Sequence, residues 1–90
     1  MSSPIKTFVA DSNFLIAEGL RNVLSSCDDI EVLGTASEGE QMAKEVLELR
    51  PDVLLIDYSS EKLSFTDLTE VMRKLPNMRV IGIVHDCDVN

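Results

Sequence analysis

The chain has no long apolar run and little positive charge. Its 90 residues carry 8 Lys+Arg against 16 Asp+Glu, a formal net charge of −8. Phosphate contacts need clustered Lys and Arg, so this balance argues against direct nucleic-acid contact by this segment. It argues equally against an anionic membrane surface as partner. No apolar stretch nears the roughly 18 residues of a spanning helix. The start, Met1-Ser2-Ser3-Pro4-Ile5-Lys6, lacks the basic and apolar parts of a signal peptide. Cys27 and Cys87 have no metal-motif spacing. A cytoplasmic chain with reduced thiols is the simplest expectation. Repeats and low-complexity segments are also lacking.

What is present is a hydrophobic fraction of 44%, ordinary for a globular chain. Residues 1–90 make one small domain or part of one. Ile5 to Ala10 reads as a strand covered on both faces. Asp11 or Ser12 can cap a following helix, whose apolar face is Ile16, Leu20, Val23, Leu24 and Cys27. Ile30 to Ala36 reads as a second strand. Ser37-Glu38-Gly39-Glu40 fits a capping box, and Met42, Ala43, Val46, Leu47 and Leu49 supply the next stripe. Pro51 stops that helix, because the residue before a proline disfavours the helical region.

Val53 to Ile56 is a third strand, and Tyr58 to Ser64 a polar loop. Thr66 or Asp67 starts a third helix with Leu68, Val71, Met72 and Leu75 on one face. Arg79 to Val84 is a fourth strand. The order β-α-β-α-β-α-β predicts an α/β fold with a parallel sheet and helices on its faces. Ligands of such sheets sit beyond the carboxyl ends of the strands, where the order reverses. With strand order 2-1-3-4, that point lies between the first and third strands.

Asp11 and Asp57 end those two strands. An acid at the exit of a buried strand is costly unless the strand end opens into a solvated site. Two such acids repel unless a positive charge lies between them. A hard cation such as Mg²⁺ suits oxygen ligands. One carboxylate could then attack an activated phosphoryl group. The backbone carbonyl of Ser59 could add an oxygen ligand. Asp11 could instead merely cap the first helix. Asp57 has no helix immediately after it, which makes a functional role the better reading there. A small nucleotide-binding enzyme is disfavoured, since Ala10-Asp11-Ser12-Asn13 lacks the glycines that let backbone approach a phosphate chain.

Three segments carry a resemblance. Ile5 to Leu20 resembles the start of bacterial response-regulator receiver domains. It looks most like the branch joined to a LuxR-type (NarL-type) DNA-binding helix-turn-helix. Asp28 to Glu40 fits that branch's second strand and helix. Arg50-Pro51-Asp52-Val53-Leu54-Leu55-Ile56-Asp57 is similar to the run ending in the phosphorylated aspartate. The resemblance implies a flavodoxin-like (CheY-like) three-layer sandwich. It implies phosphoryl transfer from a sensor histidine kinase to Asp57, with Asp11 holding Mg²⁺, and transcriptional output through dimerisation. No enzymatic activity of the chain itself is implied.

The sequence departs from the family at several points. Ser12 stands where the family has a second acid. Ser59-Ser60-Glu61-Lys62 replaces a Met-Pro-Gly-type turn. Val84 occupies the switch position, where the family has Thr or Ser, and the missing hydroxyl forfeits a hydrogen bond of about 1.5–3 kcal/mol. His85 adjoins it, either tuning the site or serving as an ordinary loop histidine. The family's fifth strand, lysine and last helices fall beyond Asn90. The alternative expectation is a degenerate pseudo-receiver acting by phosphorylation-independent dimerisation or protein contact. In either case an apolar edge at Arg79 to Val84 predicts self-association.

Overall fold

A computed structural model of the protein describes residues 3–57 and 62–83. Strands β1 (Ile5–Ala10), β2 (Ile30–Ala36), β3 (Val53–Ile56) and β4 (Arg79–Gly82) alternate with helices α1 (Phe14–Ser25), α2 (Gly39–Leu49) and α3 (Phe65–Lys74). The strands form one parallel sheet in the order β2-β1-β3-β4. The reversal of direction in strand order therefore falls between β1 and β3, where it was expected. β4 ends at Gly82 rather than Val84. The Ile83 amide still donates to the Ile56 carbonyl at 2.8 Å, so the ladder runs one residue further.

Alternation along β1 and β3 sends Phe8, Ala10, Leu54 and Ile56 to one face of the sheet. There they meet Met42 and Val46 of α2 and Leu68 and Val71 of α3 in a single buried cluster. Full burial of such side chains contributes about 1.5–3 kcal/mol each. Gly34 makes room for the largest of them: a Cβ there would lie 3.2 Å from the Phe8 ring. The register of β1 against β2 slips beside it, with Thr7 facing Val32 and Phe8 facing Gly34. Leu63, a lone apolar residue in a polar stretch, is fully buried in the same cluster.

The opposite face is covered by α1. Ala17 is buried, while Ile16, Leu20 and Leu24 are half-buried. Beside α1 an apolar groove of about 250 Å³ runs past Leu24, Ile30, Val53, Leu55 and Ile81. Val23 and Cys27, expected on the apolar face of α1, are exposed, because one helix on a four-stranded face has neighbours along a narrow strip only. Met72, expected in the core, is 44% exposed. α3 leans on α2, and that contact buries Leu68 and Val71 but leaves the Met72 side of the helix outside.

The helix starts also differ from expectation. Asn13, not Asp11 or Ser12, caps α1. Glu38 precedes α2 without a side-chain cap bond, so the Ser37–Glu40 capping box does not form. A tertiary partner serves instead: the Gly39 amide donates to the Lys62 carbonyl at 2.6 Å. α3 begins at Phe65, just before the expected Thr66 or Asp67, capped by Ser64. Arg50 closes α2 in the left-handed region at φ 51°, a common helix-ending conformation, and Pro51 after it keeps the helix from continuing. On the surface of α3, hydrogen bonds from Lys74 and Arg73 hold the Glu70 carboxyl below its ordinary range. No helix among the described residues is long and apolar enough to cross a membrane.

Candidate functional site

Each acid sits one residue past the apolar part of its strand, and the backbone ladder carries it there. The Asp11 amide donates to the Ala36 carbonyl at 3.0 Å, and the Asp57 amide donates to the Ala10 carbonyl at 3.0 Å. Since Ala10 is level with Ile56 in the register, Asp11 and Asp57 leave neighbouring strand ends side by side. Both are buried, at 1% and 4% exposure. The two carboxylates that the sequence singled out are therefore brought together at the carboxyl end of the sheet.

The Asp11 carboxylate is oriented from its own chain. Its Oδ1 accepts from the Asn13 amide at 2.9 Å, which closes an Asx-type turn. Asn13 Oδ1 in turn accepts from the amides of Leu15 (3.0 Å) and Ile16 (3.2 Å). The cap of α1 and the first candidate ligand are thus linked through one residue. Residue type alone favours Asp11 or Ser12 as the cap just as well as Asn13, so only the fold singles out Asn13. Ser12, which departs from the second acid of the family pattern, is half-buried.

Ser59, Val84 and His85, and with them Tyr58, lie outside the described residues. Among the described residues no group of three His, Cys, Asp or Glu side chains gathers at one point. Two buried like-charged carboxylates are still a donor set that fits a hard divalent cation, which takes oxygen ligands and keeps several waters.

The response regulator GacA of Pseudomonas syringae pv. syringae is 31% identical over 80 residues, spanning 88% of this chain and 37% of its own length. The REC domain of AraT, a response regulator from Geobacillus stearothermophilus, superposes with a TM-score of 0.76 at 33% identity. That match covers 89% of this chain and 64% of the AraT chain. This chain is a receiver domain of the response-regulator type. The transcriptional regulatory protein MctR of Rhizobium johnstonii is 37% identical over 87 residues, 91% of the receiver and 39% of its own length. Protein-glutamate methylesterases also match, over 15%, 23% and 19% of their length. No protein-family model matches the chain. The receiver thus spans well under half the length of the curated relatives it matches. The fold is the CheY-like flavodoxin fold of REC domains.

The link through Asn13 yields a prediction. Asn13→Ala removes both cap bonds and should lower stability by about 1 kcal/mol, within the usual 0.5–2 kcal/mol of an N-cap. Urea unfolding measures this, with a change in midpoint and none in slope.

Proposed function

We propose that Asp57 accepts a phosphoryl group from a sensor histidine kinase, in a cytoplasmic two-component response regulator with transcriptional output. The single observation behind this reading is the pair of buried carboxylates at adjacent strand ends. An Asp57 carboxylate oxygen attacks the phosphorus of a phosphohistidine. The O–P bond forms as the N–P bond breaks, and the electron pair stays on the imidazole nitrogen, which takes up a proton. Asp11, Asp57 and the backbone carbonyl of Ser59 would hold Mg²⁺. When bound, the ion supplies positive charge that offsets the transferring oxygens.

Ser12 leaves one negative charge fewer to hold that ion, so affinity for Mg²⁺ is lower than two flanking acids would give. Val84 cannot donate a hydroxyl to the phosphoryl oxygens. These departures define the alternative, a pseudo-receiver that works by protein contact alone. The output through transcription is supported by the relatives' names, MctR being a transcriptional regulatory protein. The segment itself is read as a non-enzymatic module, one unit over residues 1–90. Methylesterases match it over under a quarter of their length.

Incubation with acetyl phosphate and Mg²⁺ tests the reading by intact mass. One phosphoryl adduct should form, absent in Asp57→Asn and absent with chelator. Ser12→Asp should tighten Mg²⁺ binding on the order of tenfold. No adduct in the parent chain and none in Ser12→Asp leaves the contact-only alternative.

The receiver is also read as self-associating. Among the described residues β4 pairs on one side only, and Ile81 on it is 51% exposed. An open parallel edge offers unpaired amides and carbonyls to the same edge of a second copy. Sedimentation should show mass rising with concentration, and Ile81→Lys should suppress the rise. A monomer throughout the series refutes it.

A further inference from the structure

Asn13 makes hydrogen bonds in two directions. Backwards, its amide donates to Asp11 Oδ1 at 2.9 Å. Forwards, its own Oδ1 accepts from the amides of Leu15 at 3.0 Å and Ile16 at 3.2 Å. Its carbonyl accepts from the Ala17 amide at 3.0 Å, the first rung of α1. Its backbone is extended, at φ −93° and ψ 108°. One residue thus closes the turn that leaves β1 and opens the helix.

Asp11 is caught between this residue and the sheet. Its amide is held by the Ala36 carbonyl of β2 at 3.0 Å, and the residue is buried. The helix on the other side is anchored too, since Ala17 is buried where α1 packs on β1 and β2. The Asp11 carboxylate cannot turn without giving up the Asn13 amide. The Asn13 amide cannot shift without disturbing the two cap bonds. A carboxylate whose orientation is fixed on folding loses less freedom when a cation binds. Hydrogen bonds to metal-ligating carboxylates orient them in this way, and such partners matter to affinity.

We infer that Asn13 is a positioning residue for the cation held by Asp11. Its side-chain cap fixes the turn, and the turn keeps its amide on Asp11 Oδ1. The carboxylate is then presented to the ion in one orientation. This rests on the reading of Asp11 and Asp57 as the cation site. The coupling is reciprocal: loosening the cap weakens the cation, and the cation stiffens the first turn of α1.

Two measurements on the full chain test it. Asn13→Ala should weaken Mg²⁺ binding at least roughly fivefold, the low end of ordinary coupling between sites. Asn13→Ser keeps a capping oxygen and should bind Mg²⁺ as the parent does. Val46→Ala, buried in α2 away from Asp11, should lower stability in urea and leave Mg²⁺ affinity alone. A cap with a merely structural role would leave all three at the parent's affinity. The second measurement needs no variant. Mg²⁺ added to the parent chain should slow hydrogen exchange at the Leu15 and Ile16 amides more than at the Asp67 amide, which Ser64 caps in the same manner at the start of α3.

A parent-like affinity in Asn13→Ala overturns the inference and leaves the phosphoacceptor reading standing. So does an equal loss in Asn13→Ser, and so does slowing no greater at Leu15 and Ile16 than at Asp67. A parent chain that binds no Mg²⁺ overturns the cation site at Asp11 and Asp57, and the role of Asn13 with it.

Discussion

Two like charges buried at neighbouring strand ends are the constraint on which this structure turns. Taking a carboxylate out of water costs several kcal/mol even after relaxation. The sheet nevertheless extends its ladder one residue past Ala10 and Ile56, so that Asp11 and Asp57 are carried inside. Nothing in packing alone favours that arrangement over a pair of exposed turns. It is useful where a cation and an incoming phosphoryl group are to find a fixed, partly dehydrated pair of oxygen donors.

The rest of the fold can be understood as support for that pair. On one face, Phe8, Leu54 and Ile56 lock β1 and β3 together against α2 and α3, which fixes the separation of the two strand ends. On the other face, α1 is tied to Asp11 through Asn13, so the helix and the carboxylate share one turn. The start of α2 is held by the Lys62 carbonyl. Among the described residues, the face beside α1 carries an apolar groove, and β4 lies at the edge of the sheet.

Much of this was legible in the residues. Runs such as Val53-Leu54-Leu55-Ile56 announce strands because both faces of a parallel sheet are covered. Asp57 stands out because a charge follows such a run directly. Less legible were features set by tertiary contact. Asp11 or Ser12 reads as the cap of α1, but with the Asp11 carboxylate turned onto the Asn13 amide, the cap falls to Asn13. Ser37 and Glu40 match a capping box, yet the orphan amide at Gly39 is met by a carbonyl 23 residues away in sequence. Met72 sits at helical spacing with Leu68, but α3 leans on one neighbour and leaves it outside. Leu63 was hidden among polar residues, with no periodicity to mark it as core.

Paramagnetic Mn²⁺, a hard cation that stands in for Mg²⁺, tests the central claim most directly when titrated at low concentration into the amide spectrum. Broadening should begin at Asp11, Ser12, Asn13 and Asp57, at the carboxyl ends of β1 and β3, and spare Lys6, Asp52 and Arg79 at the other end of the sheet. Broadening that starts at exposed acids such as Asp28, Asp29 or Glu48, with the Asp11 and Asp57 amides untouched, would contradict it.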